Sequence, residues 1–245
     1  MFIQFCKQTE KEMGSRIEHV IKCAIQSFAT RPNGNNIREN IKMLKGLVSE
    51  ITANDIGMQP SDFKTFSVSR HSSTGSKSAP VTYIPIFENS EVSVGVFILK
   101  EEARIPLHDH QGMYGILKVL YGNLRIQSYT SITNNMNQMQ PDFTLQQGLA
   151  VKKLPLVCLT EKDPAASLFP IEQNFHELWS AGGPAAFLDI LAPPYNDARD
   201  CYYYIEKPNQ VPDSAECSLA RIPCPSAFWC DSTEYRGPNL QHLYK

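Results

Sequence analysis

The sequence lacks a surplus of charge. Its 245 residues carry 23 Lys and Arg against 25 Asp and Glu, a formal net charge of -2. Binding to nucleic acid or to an anionic membrane runs on clustered cations, so neither is expected as a partner. Long apolar runs are also missing. No stretch approaches the ~18 apolar residues of a membrane span. The opening MFIQFCKQTEKEMG is interrupted by Lys7, Glu10, Lys11 and Glu12, which spoils it as a secretory signal. The seven cysteines contain no Cys-x-x-Cys pair. An odd count without close pairs predicts reduced thiols in a reducing compartment, the cytosol by default and the nucleus equally compatible. Cys217, Cys224 and Cys230 fit no common zinc spacing and read as free thiols. No internal repeat is visible.

What is present divides into two periodicities. Ile17, Val20, Ile21, Ala24, Ile25 and Phe28 follow one helical face, with Ser15 as N-cap. Residues 31–36 break the pattern, and a second stripe follows at Ile37, Ile41, Leu44, Leu47, Val48 and Ile51. The pair predicts an N-terminal helical hairpin. From about residue 63 the runs become short and rich in β-branched and aromatic residues. They are 66–68, 81–84, 92–99, 113–120, 124–129, 156–159, 186–191 and 201–205, with turns between. Such spacing predicts a mainly β chain closed as a sandwich or small barrel. Residues 70–80 read as a polar loop and 131–141 as a hairpin insertion. The expected organisation is a helical segment over 1–60, a β-barrel core over 61–207, and a tail over 208–245 associated with that core.

The sharpest motif is Ile105-Pro106-Leu107-His108-Asp109-His110. On a strand, alternate side chains share a face, so His108 and His110 project together and Asp109 points away. A third imidazole, His176, stands 66 residues beyond His110. That separation suits two strands meeting inside a barrel. No carboxylate follows His110 within reach: Gln111, Gly112, Met113, Tyr114 and Gly115 come next, and Glu177 beside His176 faces away. The motif therefore offers three neutral imidazoles and an open face. Ferrous iron could still take a thiolate, an amine and O2 there, and zinc is its chemical competitor. His19 (polar side of a helix), His71 (polar loop) and His242 (tail) read as ordinary residues.

The run IPLHDHQGM (105–113), then KVLYG (118–122), GPAAFLDILAPPY (183–195) and RDCYYY (199–204) resemble the cysteamine dioxygenase and plant cysteine oxidase family. The resemblance spans roughly residues 15–207. It implies a cupin fold, a double-stranded β-helix of the jelly-roll type, with one Fe(2+) per chain on His108, His110 and His176. It implies that both atoms of O2 are added to a thiol, giving a sulfinic acid. Family substrates are cysteamine, which becomes hypotaurine, and the N-terminal cysteine of proteins, which leaves an oxygen-sensing role open. Asp189 corresponds to an acid near the substrate amine. Cys201 and Tyr203, two apart, correspond to a pair able to form a thioether crosslink. Tyr195 is a candidate for the cavity rim. Gln111 departs from the family, whose members often carry proline there. The competing readings are a non-oxidative metal-dependent cupin, or a non-catalytic cupin that binds a ligand or partner. A cytosolic monomer with no nucleic-acid or membrane partner is expected.

Overall fold

The computed structural model describes residue 6 and residues 14–29, 34–67, 78–132, 148–197, 199–207 and 215–244. Val68, the polar loop up to residue 77 with His71, and all but the first two residues of the expected insertion lie outside them. Helices α1 (Arg16–Ala29) and α2 (Gly34–Ser49) come first. Ser15 caps α1, its Oγ accepting the Glu18 amide at 3.3 Å. Ile17, Val20, Ile21 and Ala24 of α1 share one core cluster with Ile37, Ile41, Leu44 and Val48 of α2. Helix α2 already begins at Gly34, so the second half of the expected break is helical, while residues 31–33 lie outside the described residues. His19 is not on a solvent face. It is buried, and its Nε2 donates to the Cys6 carbonyl at 2.8 Å, because the chain at Cys6 covers that side of the helix.

A third helix, α3 (Pro60–Ser67), corrects the strand expected at Phe66-Ser67. Proline at a first helical position has its φ preset and loses no hydrogen bond. Asp62 then takes the Gln59 amide at 2.7 Å. These start signals outweigh the β-favouring side chains that follow. Among the described residues no helix is long and apolar enough to cross a membrane.

Among the described residues thirteen strands follow: β1 (Val81–Glu88), β2 (Ser93–Leu99), β3 (Arg104–Asp109), β4 (Tyr114–Tyr121), β5 (Asn123–Ser131), β6 (Leu149–Lys153), β7 (Val157–Thr160), β8 (Ala166–Leu168), β9 (Phe175–Ser180), β10 (Ala185–Ala192), β11 (Tyr203–Glu206), β12 (Glu216–Ile222) and β13 (Cys230–Ser232). They form two sheets, ordered β13-β1-β2-β10-β4-β8 and β6-β12-β11-β3-β9-β5-β7. This is the mainly β, cupin-type double-stranded β-helix, with the helical hairpin laid against it. Strand β12 sits between β6 and β11, and β13 pairs with β1, so segments beyond residue 208 enter both sheets.

Side-chain alternation sorts the faces. On β10, Ala186, Leu188 and Ile190 pack with the helices, while Phe187 joins the cluster between the sheets. Asp189 has the parity of Phe187 and so faces the barrel interior. On β3 the register shifts: Ile105 pairs with Leu178, yet His108 pairs with His176. Three residues on β3 oppose two on β9, which is a bulge. It lets Ile105 and His108 both point inward, where plain alternation would turn one of them out.

Asn174 fixes the end of β3. Its Nδ2 donates to the carbonyls of His110 at 2.6 Å and Phe169 at 3.1 Å, and its Oδ1 accepts the His110 amide at 3.3 Å. Asn174 is fully buried. Asn174→Asp would aim a carboxylate at two carbonyls, so a loss of about 2 kcal/mol or more is expected. Chemical denaturation of the metal-free protein measures it. A change within experimental error would show that this amide does not hold the turn.

Candidate metal centre

Two strands bring three imidazoles to one point. His108 and His110 come from β3 and the residue after it, and His176 from β9, opposite His108 on one side and Ser128 of β5 on the other. The three ring centroids are mutually 4.8 Å apart. One ligand atom from each ring lies within 4.8 Å of the others. Glu177 points outward and pairs with Arg104 at 2.7 Å. Asp109 also turns away, into the wall. Its oxygens accept the Tyr202 amide and the Tyr204 hydroxyl, each at 2.9 Å, and it is hydrogen-bonded to Gln111. The glutamine that departs from the family therefore has a partner. Among the described residues no carboxylate joins the histidine cluster.

Hydrogen bonds fix two of the tautomers. His108 Nδ1 donates to the Pro106 carbonyl at 2.8 Å, which leaves its Nε2 as the bare nitrogen. The Tyr195 hydroxyl donates to the Asp109 carbonyl at 2.8 Å and lies 2.8 Å from His110 Nδ1. Its one proton is committed to the carbonyl, so it accepts from Nδ1 and bares His110 Nε2. Partners of this kind orient imidazole ligands in metal sites generally. Burial lowers the His108 pKa to about 4, and burial holds His110 and His176 well below the ordinary histidine value. All three rings are therefore neutral near pH 7, the form that binds metal.

The donor set fits a metal ion. Two imidazole nitrogens held about 2.1 Å from one ion lie about 3.0 Å apart at right angles and about 3.4 Å apart at the tetrahedral angle. The Nε2 atoms of His110 and His176 are 3.0 Å apart. That spacing lets both nitrogens reach one ion, and three protein ligands would leave positions open for others.

Two cavities flank Asp189. One, of about 60 Å³, is lined by His176, Ser128, Gln173 and an apolar wall that includes Leu117, Leu159 and Leu168. The other, of about 390 Å³, is lined by Tyr83, Phe97 and Tyr195 among others. Among the described residues its walls hold three carboxyls, Glu88, Asp189 and Asp231, and neither Lys nor Arg. Burial raises the Asp189 pKa to about 7, and an adjacent cation would favour its charged form. Gly95, opposite Asp189 in the sheet, gives the Tyr83 ring its space: a Cβ there would lie 2.3 Å from the ring.

Cys201 lies just before β11 and not on a strand with Tyr203, as the spacing had suggested, because β11 begins at Tyr203. The two side chains still meet through a hydrogen bond, and Cys201 also meets Tyr195. The Tyr203 ring centroid is 6.5 Å from that of His108. Sequence reasoning missed Asn174, Ser128 and the Tyr83–Gly95 contact, which have no local signature. It also gave Tyr195 too small a place: the hydroxyl reaches His110 itself.

The PCO_ADO family model matches residues 47–240. The mouse protein "2-aminoethanethiol dioxygenase" is 35% identical over 256 residues, covering 93% of this chain and 97% of that protein. Its human namesake is 36% identical over 82% of each chain. "Plant cysteine oxidase 2" of Arabidopsis thaliana is 29% identical over 82% of this chain and 72% of its own length. With one family model running through most of its length, and two relatives above 30% identity over most of theirs, the chain belongs to the PCO_ADO family.

Proposed function

We propose that this protein is a non-haem iron thiol dioxygenase. It adds both atoms of O2 to a thiol to give a sulfinic acid, on cysteamine (2-aminoethanethiol, giving hypotaurine) and/or the N-terminal cysteine of proteins. The observation that carries this reading is a carboxylate-free set of three neutral imidazoles, with Asp189 standing between the small cavity that His176 lines and a larger one whose charged groups, among the described residues, are all acids. Both substrate classes are a thiol two carbons from a primary ammonium, so both present a cation and a sulfur at fixed separation. The names of the related proteins support the same chemistry.

In this reading His108, His110 and His176 hold one Fe(2+). Zinc has no redox chemistry to offer dioxygen, and the dioxygenase names of the related proteins support iron instead. The ion supplies the place where sulfur and dioxygen meet and exchange electrons. The chain does the rest. Asp189 holds the substrate ammonium, whose charge repays the cost of ionising a buried carboxyl. Tyr195 keeps His110 in its metal-binding tautomer. The apolar wall of the smaller cavity limits water beside His176. Cys201 and Tyr203 lie beside this assembly, and a thioether between them would stiffen the Tyr203 ring without being required for turnover. None of the seven cysteines is in a disulfide, which suits the cytosol, and the reading is of a monomer.

The direct test is anaerobic loading with ferrous iron, then oxygen uptake with cysteamine and with a peptide bearing N-terminal cysteine. Uptake with at least one is expected, together with a sulfinic product. His108→Ala, His110→Ala and His176→Ala should each lose stoichiometric iron and activity. Full iron retention in any of them would remove that residue from the ligand set.

Asp189→Asn keeps the shape and removes the charge. It should weaken cysteamine at least tenfold relative to a thiol of similar size without the amine, a difference of about 1.4 kcal/mol. An unchanged ratio between the two substrates would reject the ammonium role. Circular dichroism of the variant separates that result from loss of fold.

A further inference from the structure

Two thiols meet at one phenol near the metal cavity. Strands β11 and β12 pair antiparallel, with Tyr203 opposite Ile222, Tyr204 opposite Arg221 and Ile205 opposite Ala220. The ladder ends at that first pair; Cys201 and Cys224 each stand two residues past it, where its register, if continued, would set them opposite one another. A second observation agrees with the register. The Tyr203 hydroxyl is hydrogen-bonded to the side chains of both Cys201 and Cys224. Directly opposed residues of an antiparallel pair have Cα atoms about 4.5–5.5 Å apart. Disulfides bridge Cα separations of about 4.4–6.8 Å.

The two sulfurs differ in access. Cys224 is exposed and Cys201 is partly buried. Cys201 also touches Tyr195, whose hydroxyl holds His110. Cys224 is therefore the thiol more open to a soluble reagent.

We propose that Cys201 and Cys224 are a redox modification site, forming a reversible disulfide by exchange with a small disulfide of the glutathione class. The Cys224 thiolate attacks the soluble disulfide, one thiol leaves, and a mixed disulfide remains. The Cys201 thiolate then attacks the Cys224 sulfur, and the second thiol leaves. Two protein thiols lose two protons and two electrons, and the soluble disulfide is reduced to two thiols. Burial pushes the Cys201 thiol up to about 12, so the second exchange is slow, depends on proximity, and quickens as pH rises. In a reducing compartment the dithiol is the resting form, and the disulfide marks oxidative load. The disulfide and a Cys201–Tyr203 thioether exclude each other, because both need the one Cys201 sulfur. The first is undone by thiols, while the second is permanent. The proposal concerns these thiols alone and does not depend on the iron reading.

The test uses the full chain incubated with oxidised glutathione, then alkylated and digested without reduction for peptide mapping. A Cys201–Cys224 linked peptide is expected, two hydrogens lighter than the separate thiols and lost on treatment with dithiothreitol. It should persist in Cys230→Ser, which removes another exposed thiol, and vanish in Cys224→Ser with Cys201 left alkylated. Cys224 recovered only as its glutathione adduct beside an alkylated Cys201 would overturn the proposal. So would recovery of both residues alkylated, or of either linked to a different cysteine.

Discussion

The extra residue in β3 between Ile105 and His108 is the constraint from which the site follows. With plain alternation, a strand that buried Ile105 would turn His108 to the outer face of the sheet. The bulge reverses that parity and sets His108 opposite His176 inside the barrel. Pro106 lies within it, where a missing N–H costs no ladder bond. Its carbonyl takes the Nδ1 proton of His108. One local irregularity therefore sets both the direction of the first imidazole and its tautomer. His110, two residues on, inherits the same face.

Around that point the protein spends polar groups on orientation and keeps charge at a distance. Asp109 and Asn174 are buried beside the histidines, and both are fully occupied with neighbouring amides, carbonyls or hydroxyls. Neither is left to compete for a metal. The Tyr195 hydroxyl links the Asp109 carbonyl to His110, so the wall of the barrel and the imidazole are held by one group. Asp189 is the exception. It faces the interior with burial opposing its charge, in a cavity shared with Glu88 and Asp231. An acid kept in that condition gains most from a cationic partner, which is the physical basis for assigning an aminothiol rather than a neutral thiol.

Much of this was legible in the sequence, and its limits have physical causes. The spacing of His108 and His110 showed a shared face but could not show which face, because the bulge is a register property of two strands. Asp189, between Leu188 and Ile190, left both faces open; pairing with Gly95 and Leu117 turns it inward. Short strands such as β8 and β13 carry too few residues for periodicity, and they exist because partners across the sheet complete them. Phe66 misled because local β preference yielded to a helix start at Pro60. His19 misled because helical position describes one helix and not the chain lying over it. Tyr195 followed two prolines with no pattern of its own, and only the fold brings its hydroxyl to His110.

The central claim is that this site inserts dioxygen into a thiol. The measurement that meets it most directly is the mass of the product formed by ferrous-loaded protein from cysteamine under isotopically labelled dioxygen in ordinary water. The account requires a sulfinic acid carrying two labelled oxygen atoms, since thiol plus O2 contains every atom of the product. A product with one or both oxygens drawn from water, or a disulfide with no added oxygen, would contradict it.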